Sequence, residues 1–286
     1  MGILDSLIVV GSEVTLALYP ILIKTIPTSL DTQLFYRFLV FTVFGFVFAT
    51  QKDIFQTWGT ATGLFRSLGL GALTLLHVSL SYYAFEQLPT GTAMSLFYTY
   101  PIWNLLGAMI GFQESFSVTN LFLISTAFLG TLLIARDTKD EKKKEIHWKG
   151  ISAALLSAIT ESAMYFAVRT AAQPNPFFSI LELYPAAFLY LIGYLFSRKL
   201  PVDISFKTVQ PLVLFNLIIG FFGYAIRFYA IPRVSTIVFS LLSFFGVIAS
   251  FAWGNLFVSE IPTPLTGIGA SLITLASVFA SFYHKN

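Results

Sequence analysis

Glu13, Arg37, His77, Glu161, Glu182 and Arg227 are ionisable side chains set within long apolar stretches of a 286-residue sequence. A charge at the centre of a bilayer costs at least ~2.5 kcal/mol on insertion scales, so each such residue needs a partner or a role. Glu13 and Glu161 lie 148 residues apart, each about halfway along its own apolar stretch. Two carboxylates facing one desolvated cavity would bind protons and cations in competition. Ser157, Glu161, Tyr165 and Arg169 recur at helical spacing and predict a polar stripe, with Arg169 reaching back to the interface. Asn216, Gly220, Gly223, Tyr224 and Arg227 form a second face, on which Arg227 either grips a carboxylate, neutralises a glutamate or anchors the helix end. Glu182, beside Tyr184-Pro185, reads as a third acid of the pathway or as a partner of Arg227. Arg37 is open between a packing role and an anion contact; His77 is expected to be a neutral, hydrogen-bonded core histidine, with a relay role as the alternative.

These residues need a membrane to hold them. Hydrophobic residues make up 56% of the chain, charged residues 11%, and the mean hydropathy is +0.77. A soluble domain carries ~25% charged residues, so that class is excluded. At roughly 20 apolar residues per crossing, ten spans can be marked: 4–23, 33–50, 64–88, 90–112, 117–135, 149–169, 176–197, 208–230, 234–259 and 265–283. All are expected to be helices, because a lipid-exposed segment must satisfy its own backbone. The first has no Lys or Arg before it and leads into another span, which predicts a retained helix. Zero cysteines exclude disulfides, thiolate metal sites and c-type haem attachment. No phosphate-cradling glycine loop, metal-ligand spacing or nucleophile elbow is present, so neither an enzyme nor a cofactor is expected. The 17 Lys and Arg are scattered and read as topological determinants, with no nucleic-acid partner implied. The expected partners are the lipid bilayer, a small-molecule substrate and protons. Trp58 and Trp148 fit interfacial belts, and the stripes Asn104-Gly107-Gly111 and Ser240-Ser243-Ser250-Gly254 read as helix contact faces.

The charged stretch 136–148 separates residues 1–135 from 149–286, with five spans in each part. Landmarks repeat between the halves: Gly11-Ser12-Glu13 with Ile159-Thr160-Glu161, Leu88-Pro89 with Ile231-Pro232, and Gln113-Glu114 with Ser259-Glu260. Five is odd, so duplicated halves must cross the bilayer in opposite senses, an inverted repeat around a midplane site. The fold expected is therefore an all-α integral membrane protein of ten transmembrane helices in two inverted five-helix repeats. Eleven Lys and Arg fall on the side of the charged stretch and six on the side of the termini, which places the stretch in the cytoplasm.

Tyr83-Ala-Phe-Glu-Gln-Leu-Pro-Thr-Gly-Thr-Ala93, Tyr100-Pro101 with Glu114 thirteen residues on, and Tyr36-Arg37-Phe38 opening the second span together resemble the EamA type of the drug/metabolite transporter superfamily. Ser12-Glu13-Val14 is similar to the Ala-Glu-Val of that superfamily's small multidrug branch, whose glutamate binds protons or cations in turn. The second half departs from the pattern: Val247 stands where a proline would match Pro101, which argues against a shared bend in the ninth span. The resemblance implies a solute carrier of a cell membrane with cytoplasmic termini, opposite to the charge bias, and leaves the solute open. It also implies that Tyr83, Tyr98, Trp103, Tyr165, Tyr224 and Tyr229 surround the substrate, where an aromatic cavity would suit an amine through cation–π contacts. The leading expectation is a gradient-driven or exchange carrier of a cationic or zwitterionic amine or amino acid, coupled to protons through Glu13 and Glu161. The alternatives are an exchanger of anionic metabolites clamped by Arg37 and Arg227, and a non-transporting membrane receptor or scaffold.

Overall fold

Proline and local backbone chemistry break several of the membrane helices at the places where the polar side chains sit. The computed structural model describes residues 3–88, 90–113, 117–137, 148–171, 175–259 and 264–283. Among them every regular element is helical, and all ten apolar stretches marked in the sequence are helices or pairs of helices. The first span is α1 (Ile3–Leu16) followed by α2 (Tyr19–Thr25), and the second is α3 (Leu30–Phe48). A short helix α4 (Gln51–Trp58), fixed by a Thr50/Asp53 capping box, leads to the third span, α5 (Ala61–Gln87). The fourth is α6 (Thr90–Phe97) with α7 (Tyr100–Gly111), and the fifth is α8 (Val118–Asp137). The second half runs α9 (Trp148–Arg169), α10 (Pro176–Arg198), α11 (Phe206–Phe215), a π-helical turn Asn216–Phe221, α12 (Phe222–Ala230), a 3-10 turn Ile231–Arg233, α13 (Thr236–Ser243), α14 (Phe245–Val258) and α15 (Pro264–Tyr283). Seven of these spans are long and apolar enough to cross a bilayer by length and composition: Leu4–Thr25, Leu30–Phe48, Ala61–Gln87, Trp148–Arg169, Pro176–Arg198, Phe206–Arg233 and Thr236–Val258. Val118–Leu133 and Gly267–Ala276 are shorter apolar helices. Large apolar side chains such as Ile110, Val118, Phe122, Phe196 and Leu256 point outward, as lipid-facing surface does. The protein is a multi-pass integral membrane protein built on the inverted-repeat helical plan.

The breaks have identifiable causes. Pro20 and Pro101 lack the N–H that would reach back one turn, so spans one and four unwind just before them, at Leu18 and Thr99. Leu18 turns its N–H to Thr15, and the Val14 carbonyl so released accepts a 2.8 Å bond from Trp253 Nε1 on α14. The ninth span also breaks, at Phe244, with no proline nearby. The expectation drawn from Val247 is thereby corrected: the bend survives because the Phe244 N–H bonds the Leu241 carbonyl and the Val247 N–H bonds the Phe244 carbonyl, i→i−3 bonds of a tightened turn that any residue can adopt.

The repeat shows in backbone conformation as well. Gln113 and Ser259, matched in the sequence as equivalent, both take the left-handed conformation, with φ of 53° and 58°, at the ends of spans four and nine. Glu114, Glu260 and Pro89 lie outside the described residues, as does 138–147 of the charged stretch. The halves interleave: α1 packs against α12, α13 and α14, α5 against α9 and α10, α3 against α10, and α8 against α15.

Candidate functional site

The interleaving brings side chains of both halves to one buried line. Glu13 on α1 is fully buried, and its Oε2 accepts a 3.1 Å hydrogen bond from the Tyr98 hydroxyl in the break of span four. That approach requires Gly246, because a Cβ there would collide with the Tyr98 ring and hydroxyl. On the other side, Oε1 of Glu13 faces Arg227 Nε at 3.4 Å. Arg227, 1% exposed on α12, also reaches Glu161 of α9, with Nη2 and Oε1 2.6 Å apart. These are close ion pairs rather than aligned hydrogen bonds, since Glu13 Oε1 and Arg227 Nε and Nη2 have no hydrogen-bond partner of good geometry. The second oxygen of Glu161 lies 3.0 Å from His77 Nε2 on α5. The other ring nitrogen, Nδ1, is 3.1 Å from the Ser157 carbonyl and 3.1 Å from the Thr160 hydroxyl. Tyr98, Glu13, Arg227, Glu161 and His77 thus form one continuous chain across the repeat boundary. The Arg227 guanidinium is framed by the rings of Tyr100, Phe239 and Tyr224 at 5.1, 5.6 and 6.0 Å.

A second buried guanidinium, Arg37 of α3, stands nearby without a carboxylate. Its Nη2 donates a long 3.4 Å bond to the Tyr184 hydroxyl, and the rings of Tyr19, Tyr224, Phe41 and Tyr82 surround it at 4.4, 5.1, 5.4 and 5.5 Å. Tyr19 is placed there by Gly220, where any side chain would meet its hydroxyl, and by a 3.2 Å bond to Asn216 in the π-helical turn. Arg37, Arg227, His77, Tyr98 and Tyr224 line a common cavity of about 20 Å³, room for about one water.

Both ends of the bundle are tied across the halves. On the side of the termini, Arg66 of α5 pairs with Glu182 of α10 at 2.6 Å and donates to the Ala167 carbonyl, and Asn175 donates to Asp53. On the opposite side, Tyr36 donates to the Asp203 carbonyl and the Asp203 N–H donates to Thr32, while Lys24 donates to Thr90 within the first half. The Asp203 carboxylate accepts from the Thr208 hydroxyl at 2.6 Å and the Ser205 N–H at 2.8 Å, and these bonds hold its carboxyl below the usual carboxylate range.

Of the residues singled out in the sequence, the structure brings together Glu13, Glu161, Arg227, Tyr98, Tyr224 and Arg37. Tyr165 is buried but turns its hydroxyl to Arg169, which bends inward to it at 3.0 Å instead of reaching the interface. Glu182 partners Arg66, not Arg227. Trp103 and Tyr229, both 39% exposed, face outward, and Tyr83 is half-buried away from the cavity its neighbour Tyr82 approaches. His77, Tyr19, Tyr82, Tyr100 and Tyr184 enter the site without having been placed there from the sequence. A usable signal existed for three of them: Tyr19, Tyr100 and Tyr184 each stand immediately before a proline within a span.

An inverted-repeat helical bundle with charged groups buried at its centre defines a class of membrane protein, and the comparisons with known proteins narrow it. Residues 4–136 match the EamA-like transporter family. An uncharacterized transporter of Synechocystis sp. is 34% identical over 70 residues, 24% of this chain; the chain spans only about a fifth of that relative's length, 21%. A solved crystal structure matches with a TM-score of 0.76 over 98% of this chain and 96% of its own, at 14% identity, which establishes the common fold.

Proposed function

We propose that this protein is a secondary-active carrier of a small organic solute bearing an ammonium group, working by alternating access around the Glu13–Arg227–Glu161–His77 chain with a proton as coupling ion. The carrying observation is the Arg227 bridge, which joins carboxylates of the two opposed halves beside a closed cavity. In this scheme His77 carries its hydrogen on Nδ1, where it serves the Ser157 carbonyl, which only accepts. Nε2 and Glu161 Oε2, 3.0 Å apart and buried, would otherwise present lone pairs to each other, and one proton between them resolves the contact. When that proton leaves, two carboxylates share one guanidinium and the line is short of positive charge. A solute ammonium supplies it, so proton and solute compete for one place. Tyr98 and Tyr224, which line the cavity, give that ammonium ring faces beside the carboxylates.

The exchanger of anionic metabolites needs two free arginines. Arg227 is already engaged by two carboxylates, which leaves that reading Arg37 alone. The test is solute counterflow in proteoliposomes with Glu13→Gln and Glu161→Gln. Each is expected to flatten the dependence of flux on pH; unchanged pH profiles in both variants would remove the proton from the scheme.

A further inference from the structure

Resting on the carrier reading for which molecules pass, we infer that Arg37 and Tyr82 form a receptor for one carboxylate, so that the solute is a zwitterion held at both ends. Two buried arginines line the cavity and their surroundings differ. Arg227 meets a carboxylate on either side, whereas no carboxylate oxygen lies within 4 Å of Arg37 among the described residues. Arg37 carries five N–H donors in a rigid fork, and it uses one of them in a long bond to Tyr184. Its Nε is buried with no partner. The Tyr82 hydroxyl, whose ring lies 5.5 Å from the same guanidinium, is also buried and meets no group but Arg37 among the described residues. A buried, permanently charged donor set left open beside a cavity fits an anion that arrives from outside, because buried polar groups are otherwise satisfied. The rings of Tyr19, Phe41 and Tyr224 keep the guanidinium in place while that anion is absent.

Charge selects the anion. Glu13 and Glu161 are balanced by Arg227 together with the proton shared by His77 and Glu161, so in that state the cavity offers an incoming anion the single positive charge of Arg37. A monocarboxylate matches that charge, and a phosphate dianion exceeds it. Both guanidiniums border the same small cavity, so a solute whose carboxylate meets Arg37 presents its other end to the acidic chain next to it.

The experiment is thermal unfolding of the purified full chain in detergent, titrated with propionate, propylamine, β-alanine and inorganic phosphate. Propionate and β-alanine are expected to raise the midpoint in a saturable way, β-alanine at lower concentration, and phosphate is expected to have little effect. Arg37→Gln is expected to abolish the propionate response. Arg37→Lys keeps the charge without the fork and is expected to weaken it severalfold; Tyr82→Phe keeps the ring without the hydroxyl and is expected to do the same. These two variants keep the test decisive if Arg37→Gln does not fold. Glu161→Gln is expected to leave the propionate response intact while changing the pH profile of counterflow, so failure of proton coupling and failure of carboxylate binding are separate results. An unshifted wild-type midpoint in propionate, equal propionate affinity in Arg37→Lys and Tyr82→Phe, or a phosphate response exceeding that of propionate overturns the inference.

Discussion

Replacing Arg227 by Met removes the cation that two buried carboxylates share while roughly preserving volume. Breaking a buried ion pair by deleting one partner costs about 3–5 kcal/mol, because the remaining charge has neither water nor counter-ion. Here the single side chain serves two acids at 3.4 and 2.6 Å, and both are almost wholly buried. The cost is therefore expected at the upper end of that range. If the loss arises from stranded carboxylates, neutralising one of them must return part of it. Arg227→Met with Glu161→Gln is expected to be more stable than the sum of the single effects implies, by about 2 kcal/mol, within the range seen for residues of one network. The measurement is a four-member cycle of reversible unfolding by dodecyl sulfate in mixed micelles: the parent, each single variant and the double. Single effects that add to within about 0.5 kcal/mol would mean that the three side chains do not interact, and both the charge chain and the proton argument built on it would fall.

Gly246→Ala places a methyl group where the Tyr98 hydroxyl sits and is expected to cost about 1–3 kcal/mol, as overpacking does, and to break the bond to Glu13. Tyr98→Phe in the same chain removes the clashing oxygen and is expected to recover part of that stability in the same unfolding assay. Asp203 is held below the ordinary carboxyl range by Thr208 and Ser205. A depressed folded value means that its contribution is present above the unfolded pKa of about 3.9 and lost as pH falls through the lower folded one. Asp203→Asn is therefore expected to reduce stability near neutrality and to flatten the fall in unfolding midpoint between pH 6 and 3; an unchanged acid limb would show that the two hydrogen bonds carry no stabilisation.

Hydropathy alone located all ten helical stretches, because a lipid-exposed backbone leaves no other regular choice. The duplicated spacing paired Gln113 with Ser259, and the shared left-handed backbone at these positions answers to it. Glu13, Glu161 and Arg227 were legible as exceptions to apolarity, since a charge in lipid marks itself. Partner choice was not legible. Nothing in the spacing tells Glu182 to take Arg66 rather than Arg227, or brings His77 to Glu161, because these pairs join helices more than 80 residues apart whose rotation is set by packing. Tyr83 and Trp103 failed as aromatic candidates for the same reason: on a helix that is apolar all round, periodicity does not say which face turns inward. Tyr82, one residue from Tyr83, is the ring that points at Arg37. The unwinding at Phe244 was invisible because it depends on a backbone hydrogen-bond shift that no residue type demands.

The duplication is more complete in backbone than in chemistry, because the two buried acids have different neighbours. Glu13 is fixed by a hydroxyl that can only give it a hydrogen bond, from a residue in the proline-enforced break of span four. Glu161, its counterpart, faces an imidazole that can take up and release a proton. Span one is broken next to its glutamate, whereas α9 runs unbroken through Glu161. Under the alternating access proposed above, an exchange of the two halves' conformations would move Arg227 between unequal acids: a hydroxyl-bound carboxylate on one side and an imidazole-facing one on the other.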